Sequence, residues 1–100
     1  MAGEVRLVMT VRFRTRLDRA ELERRYRARM AEFRALPGLV QKYYVYDEAS
    51  AEWGGVYLWA SEEALQAYLA SDLRRSIASV YEVEGTPRVE TSRVVEPLRP

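Results

Sequence analysis

The chain has 100 residues, of which 48% are hydrophobic and 31% are charged, and its formal net charge is +1. This composition predicts one folded domain spanning residues 1–100, and so small a charge does not favour binding to nucleic acid or to a membrane. The chain contains neither cysteine nor histidine. Their absence excludes disulfides, thiolate nucleophiles, histidine-based triads and the commonest metal ligand, and no acidic cluster has the spacing of a metal site.

The sequence has no recognisable targeting or membrane-spanning segment. No apolar run approaches the roughly 20 residues that are needed to cross a bilayer. The first ten residues, MAGEVRLVMT, lack the basic start, the long apolar middle and the small-residue cleavage site of a signal peptide. We therefore expect a cytoplasmic protein.

The first third of the chain predicts a strand followed by an amphipathic helix. Residues 4–13, EVRLVMTVRF, alternate between an apolar face and a mixed face, as a half-buried strand does. Asp18 is suited to cap the helix, and Glu21 stands where a capping box requires an acid. Pro37-Gly38 ends the helix. Its predicted apolar stripe consists of Leu22, Tyr26, Met30, Phe33 and Leu36.

The middle of the chain predicts a β-hairpin. Residues 39–46, LVQKYYVY, are rich in the β-branched and aromatic side chains that favour strands. Residues 52–60, EWGGVYLWA, predict a third strand, although a pair of glycines lies inside it. The link between the two segments is short and polar, so the strands are expected to pair in antiparallel fashion.

The last third of the chain predicts a second helical region and a final strand. Ser61 is suited to cap the helix, and two glutamates follow it at the positive N-terminal end. Ser71 is placed to start a second, shorter helical piece. The Gly-Thr-Pro segment at residues 85–87 predicts a break, after which residues 88–95, RVETSRVV, alternate as a last strand.

The resulting order, β-α-β-β-α-β, is the ferredoxin-like α+β arrangement, in which two helices cover one face of a four-stranded antiparallel sheet. The other face would remain open, and the first and third strands have large apolar residues to spare. An exposed apolar surface of that size usually marks an interface. Packing two such sheets across a two-fold axis would bury it, so we expect a homodimer whose sheets form a shared barrel.

Residues 37–69 resemble the putative mono-oxygenase family of the dimeric α+β barrel superfamily, which is related to the antibiotic-biosynthesis mono-oxygenases. The topology agrees over nearly the whole chain, whereas the agreement in residues is confined to this middle part. The shared features are Pro37-Gly38 after the first helix, Lys42 in the second strand, Gly54-Gly55 followed by an aliphatic residue, Tyr57-Leu58 with an aromatic at Trp59, and Ala67-Tyr68-Leu69 in the second helix.

This resemblance implies a homodimer with one pocket per subunit, between the sheet and the helices. It also implies a cofactor-independent mono-oxygenase that acts, without metal, flavin or haem, on a small aromatic or polyketide-like compound, which reacts with O₂ once it is deprotonated. The protein would supply an aromatic surround, a base and donors for the developing anion. Relatives that act on haem use an axial histidine, which this chain lacks. The alternative is a non-catalytic small-molecule-binding or stress-associated homodimer.

Aromatic side chains in the third strand are the first candidates for ligand binding. Trp53, Tyr57 and Trp59 share one face of that strand, and Gly55 leaves a notch between them. A flat hydrophobic or aromatic ligand could lie in the notch. Alternatively, these aromatics pack against the partner sheet, and the pocket lies on the opposite face of the strand.

Two adjacent tyrosines in the second strand are further candidates. Tyr43 and Tyr44 point to opposite faces of the sheet, so one of them lies on the pocket side. A phenol beside a pocket can donate to an oxyanion or, if activated, act as a base. We take Tyr44 and Phe33 as candidate binding residues and Tyr43 as a candidate catalytic residue, although β-propensity also explains the tyrosines.

The remaining catalytic candidates are cations. Lys42 is the only lysine of the chain; a desolvated lysine has a lowered pKa, whereas a strand lysine more often protects a sheet edge. Arg12 belongs to the mixed face of the first strand. It could orient an anionic substrate, or it could pair with a glutamate such as Glu90 on the neighbouring strand.

Overall fold

The computed structural model describes residues 4–100, and we describe only these. The strands are Leu7–Thr15 (β1), Leu39–Asp47 (β2), Glu52–Trp59 (β3) and Val83–Arg93 (β4). The helices are Arg19–Ala28 (α1), Met30–Arg34 (α2), Glu62–Leu69 (α3), Asp72–Arg75 (α4) and Ile77–Val80 (α5). Within the described part of the chain, none of these helices is both long and apolar enough to cross a membrane.

The four strands form one antiparallel sheet in the order β2-β3-β1-β4, which confirms the predicted ferredoxin-like α+β fold. Residues that pair directly across an antiparallel sheet point to the same face. Lys42 pairs with Tyr57, and Tyr44 pairs with Gly55. The register of the hairpin therefore gathers these four residues on one face of the sheet.

That face is the one covered by the helices. Trp59 is fully buried there and Tyr57 is 2% exposed, and both pack against residues from the helical segments. The alternative that the aromatics of the third strand pack against a partner sheet is therefore wrong. The core consists of Met9, Val11, Phe13, Leu22, Phe33, Tyr57, Trp59, Leu65, Tyr68, Ile77 and Tyr81.

The opposite face of the sheet carries a smaller apolar surface. Val8, Val56 and Leu58 are only partly buried, and Tyr43 is 55% exposed. These residues adjoin one another because Val8 pairs with Leu58, and Tyr43 pairs with Val56. We call them the open-face patch. The homodimer, which would bury this patch, stays a prediction.

Local capping explains why the helices begin where they do. The Asp18 carboxylate accepts a hydrogen bond from the Glu21 backbone N–H at 2.9 Å, and Ser61 and Ser71 each cap their helix in the same way, at 3.1 Å. These three starts were predicted. The Glu21 carboxylate pairs with Arg25 at 2.7 Å, an i,i+4 ion pair on the helix surface.

Several predicted elements have shifted bounds, the first strand for example being Leu7–Thr15 rather than residues 4–13, and two of them differ substantially. The first helix is not continuous, because Arg29 departs from regular helix geometry and separates α1 from α2. The last strand begins at Val83 rather than at residue 88, and it runs through the Gly-Thr-Pro segment. A register shift against β1 and a positive φ of 71° at Gly85 accommodate that segment as a bulge, so a strand continues where a break was predicted.

The two glycines of β3 each leave space for a different neighbouring group. A Cβ on Gly54 would overlap the backbone carbonyl oxygen of Val11, so Gly54 allows β1 to approach closely. A Cβ on Gly55 would lie 2.9 Å from Cε1 of Tyr57 and 3.2 Å from Cε of Lys42. Gly55 therefore makes room for the side chains of the helix-covered face.

We predict that Gly54→Ala lowers the free energy of unfolding by at least about 2 kcal/mol, because the backbone of β1 must move to admit the methyl group. Urea denaturation measures this loss. The control is Gly85→Asn, since Asn tolerates a positive φ and a Cβ there meets nothing within 4 Å. Equal losses in the two variants would contradict the close approach of β1 and β3.

Candidate functional site

A cavity lies between the sheet and the helices, where the family resemblance implies a pocket. It comprises about 400 Å³ of empty space, including its open mouth. Its inner part is narrow, with room for about two or three water molecules. We call it the inner cavity. From the sheet it is lined chiefly by Lys42, Tyr44, Trp53, Gly55 and Tyr57.

Four of the six predicted binding residues line the inner cavity, namely Tyr44, Trp53, Gly55 and Tyr57. Trp59 is not exposed to it; its ring stacks behind that of Tyr57, with the ring centroids 6.2 Å apart. Phe33 lines a neighbouring cavity instead. Trp53 and Tyr57 of β3 therefore line the inner cavity, whereas Trp59 lies too deep to touch a ligand there. Ligand binding by these residues stays a prediction.

The second cavity, which we call the outer cavity, lies between α2 and β2 and comprises about 750 Å³ of empty space that opens to solvent. Met30, Phe33 and Arg34 line it from the helix side. Lys42 and Tyr44 line both cavities. These two side chains therefore form the boundary between the inner and the outer cavity.

Lys42 occupies that boundary under the faces of three aromatic rings. Its Nζ lies 3.4 Å from the ring centroid of Phe33, 4.4 Å from that of Tyr44 and 4.6 Å from that of Tyr57. Ring faces attract an ammonium group. None of the ion pairs formed by residues 4–100 includes Lys42, so the rings replace the carboxylate that a buried cation ordinarily has.

This environment changes the acid–base chemistry of the amine. Burial, with a smaller contribution from the positive charge of Arg29, lowers the pKa of Lys42 to about 7. Near neutral pH the side chain is therefore divided between ammonium and free amine, and the free amine can accept a proton.

The phenols of the site behave in the opposite way. Burial raises the pKa of Tyr44 to about 12, and it raises the pKa of Tyr57 well above its ordinary value. The hydroxyls of Tyr57 and Tyr68 lie 3.4 Å apart. Phenols that stay protonated at neutral pH can donate hydrogen bonds to an anion but cannot act as bases.

Sequence reasoning missed two tyrosines of the inner cavity. Tyr26 of α1 stacks on Tyr44 with ring centroids 4.4 Å apart, and Tyr81 lies on the opposite wall. The buried hydroxyl of Tyr81 has no hydrogen-bond partner among residues 4–100. The helical period places Tyr26 in the predicted apolar stripe but does not indicate that it lines a cavity, and no local pattern marks Tyr81.

The other two catalytic candidates lie away from both cavities. Arg12 points to the open face of the sheet, where its guanidinium pairs with Asp47 at 3.5 Å. Pairing with an acid was one of the two alternatives for Arg12, but the partner is Asp47 of β2 and not Glu90. Tyr43 also lies on the open face and is largely exposed. The geometry of the cavities thus supports only Lys42 among the three catalytic candidates.

The acidic residues of the described chain do not converge on a cation site. No group of three or more metal-binding side chains occurs within residues 4–100. The two cavities are instead lined mainly by aromatic, aliphatic and cationic groups, together with the amide of Gln41.

Comparison with known proteins identifies the family. The family described as putative mono-oxygenase ydhR matches residues 8–87 of the chain. The chain belongs to this family. Membership supports a general mono-oxygenase-like role and confirms the resemblance found in the sequence, now over a longer stretch than residues 37–69.

Solved structures agree with this fold. The chain is similar to SnoaB, a cofactor-independent oxygenase from Streptomyces nogalater, at 17% identity and a TM-score of 0.74 over 97% of this chain and 100% of that one. It is also similar to a putative antibiotic biosynthesis monooxygenase from Caulobacter crescentus CB15, at 17% identity and a TM-score of 0.75 over 95% and 94% of the two chains. Among curated proteins no sequence matches significantly.

We predict that the stability of the folded chain rises with pH from about 7, the pKa of Lys42 in the fold, to about 9, where tyrosines of the unfolded chain begin to titrate. In this range the unfolded chain binds the proton that the folded chain has released, so raising the pH favours folding. The absence of histidine and cysteine leaves few other side chains to titrate in this range. At higher pH the buried tyrosines oppose the slope, because burial raises their pKa above that of tyrosines in the unfolded chain. Urea denaturation at a series of pH values measures the slope.

Lys42→Met is the matched variant for this experiment, because an unbranched apolar side chain of similar length can take the same path under the rings. Its stability is expected to be nearly flat over the same pH range. A slope that persists in Lys42→Met would mean that another group carries the linkage.

Proposed function

We propose that the protein is a cofactor-independent mono-oxygenase that acts on a small aromatic or polyketide-like compound in the inner cavity. The observation that carries this proposal is the buried amine of Lys42, which lies under aromatic rings without a carboxylate beside it. Family membership adds support for a mono-oxygenase-like role. The site combines a proton acceptor, ring faces for a flat substrate and phenolic donors.

Lys42 acts as the general base in this proposal. The free amine takes a proton from an acidic O–H or C–H of the substrate, and the ammonium so formed lies beside the new anion. The neutral phenols of Tyr44 and Tyr57 are available as hydrogen-bond donors to that anion. Proton transfer thus creates the ammonium and the anion side by side. Their attraction offsets part of the desolvation cost of the ammonium, which is the cost that lowers the pKa of Lys42.

The chemistry with oxygen balances without an external reductant. With an anthrone-type substrate, the ring methylene loses two hydrogens and gains one oxygen atom as a carbonyl, while the second oxygen atom of O₂ leaves as water. The four electrons that reduce O₂ come from that carbon. The protein needs only to generate and hold the electron-rich anion, which is the task that a base and donors perform.

Entry of a ring into the inner cavity requires a side chain to move, because the free space inside is narrow. Tyr26 is the candidate, since it lies on the surface of α1, is only partly buried and stacks on Tyr44 at the cavity wall. A substrate ring that replaces Tyr26 on the face of Tyr44 would recover the stacking contact.

We further propose that the protein is a homodimer, held together by the open-face patch of Val8, Tyr43, Val56 and Leu58. This patch lies on the face of the sheet opposite to the inner cavity. Dimer formation would therefore cover the patch and leave the inner cavity accessible.

We predict that Lys42→Met lowers oxygen uptake with anthrone or naphthol by at least about 100-fold, as loss of a general base does. Lys42→Arg is expected to be as inactive, because a guanidinium stays charged and cannot accept the proton. The wild-type kcat/KM should rise with pH through about 7 and then level off, since the free amine is the active form. An oxygen electrode measures all three.

Arg93→Met removes an exposed cation of β4 and is the control, with uptake expected to be unchanged. Full activity in Lys42→Met would refute the role of Lys42. Saturable quenching of tryptophan fluorescence by these compounds, without oxygen uptake at any pH, would instead favour a non-catalytic binding protein.

We predict that the wild-type chain sediments at micromolar concentration as a species of twice 11.6 kDa, and that Leu58→Arg shifts it to the monomer by placing a charge in the apolar interface. Ala67→Arg places the same side chain on the exposed surface of α3 and should leave the dimer intact. A wild-type chain that sediments as a monomer would contradict the proposed dimer.

A further inference from the structure

The outer cavity has an uncompensated positive charge. Its lining includes two cations, Arg34 and Lys42, and no acidic residue. Its other walls are mainly apolar or aromatic, with Met30 and Phe33 on the helix side and Leu39 at the start of β2, and Gln41 adds a neutral amide. A concave site of this composition fits a ligand that has an apolar body and an anionic group.

Arg34 differs from the arginines of the neighbouring helix. In α1, Arg25 and Arg27 pair with glutamates one turn earlier, at 2.7 and 3.1 Å. Arg34 forms none of the ion pairs found among residues 4–100. Among residues 4–100 its guanidinium donates a hydrogen bond only to the sulfur of Met30, at 3.9 Å, and a thioether is a weak acceptor. The fork of donors on Arg34 is thus available to a carboxylate, which it can bind through two parallel hydrogen bonds.

The outer cavity is also continuous with the proposed reaction site. Lys42 and Tyr44 belong to both linings, so a ligand anchored beside Arg34 can extend along the ring of Tyr44 to the amine of Lys42. Arg34 would then bind one group of the ligand, while Lys42 removes a proton from another group of the same molecule.

We propose that the outer cavity binds the carboxylate of the substrate through Arg34, so that the substrate class is aromatic acids whose ring carries an ionisable hydroxyl or enol group. This inference rests on the proposed function for the role of Lys42, but its binding step stands on the outer cavity alone. The carboxylate lies in the outer cavity, and the ring extends past Tyr44 with its hydroxyl toward Lys42.

The test compares two probes that differ only by a carboxylate: a naphthol and the corresponding hydroxynaphthoate. Quenching of Trp53, which lines the inner cavity, reports binding of either. The hydroxynaphthoate is expected to bind the wild-type chain at least about 10-fold more tightly than the naphthol, because a charged bidentate pair forms only with the acid. Added salt should weaken binding of the acid and leave the naphthol unaffected.

Arg34→Gln is expected to abolish this preference while the affinity for the naphthol stays the same, and Arg34→Lys should retain part of it. The matched control is Arg24→Gln, which removes an exposed arginine of α1 outside both cavities and should preserve the preference. Equal affinities for the two probes in the wild-type chain, or an unchanged preference in Arg34→Gln, would overturn the proposal.

The two proposals fail in different ways. Oxygen uptake with naphthol or anthrone, but no preference for the acid, would leave the mono-oxygenase proposal standing and refute the anchoring role of Arg34. A preference that depends on Arg34, without oxygen uptake from any probe, would support the carboxylate site and refute the catalytic proposal.

Discussion

The candidate site depends on keeping one ammonium group away from water without giving it a carboxylate. Three elements meet this constraint together: β2 supplies Lys42, β3 supplies Tyr57 and the bare backbone of Gly55 beneath the lysine stem, and α2 supplies Phe33 above the nitrogen. Ring faces attract the cation less strongly than a carboxylate would, and they accept no proton. The amine therefore stays weakly held and ready to exchange its proton, which suits a base better than a structural cation.

The helix-covered face and the open face of the sheet carry different kinds of side chains. On the covered face, large aromatic side chains fill the space between the sheet and short helical pieces and leave cavities lined by phenols. On the open face, smaller apolar residues lie beside ion pairs such as Arg12 with Asp47. Each strand contributes alternate residues to the two faces, so a change that suits one face need not disturb the other.

Most of the fold could be predicted from the sequence because its signals are local: the alternation in the first strand, the side-chain caps at Asp18, Ser61 and Ser71, and the turn between β2 and β3. The site could be predicted only in part. Period-two alternation places Trp53, Tyr57 and Trp59 on one face but does not indicate whether helices or a partner cover it. The aromatic surround of Lys42 depends on the interruption of the helix at Arg29 and on the register of two strands, which no single segment encodes.

The paired glycines of β3 also determine on which side the inner cavity can be enlarged. The floor of the inner cavity is already bare backbone at Gly55, and Gly54 holds that backbone against β1, so no substitution can lower the floor further. To admit a larger ligand, side chains of the helices that line the cavity would have to be shortened instead, beginning with Tyr26. In this architecture the size of the inner cavity is set from the helices, and the sheet is the fixed reference against which they are adjusted.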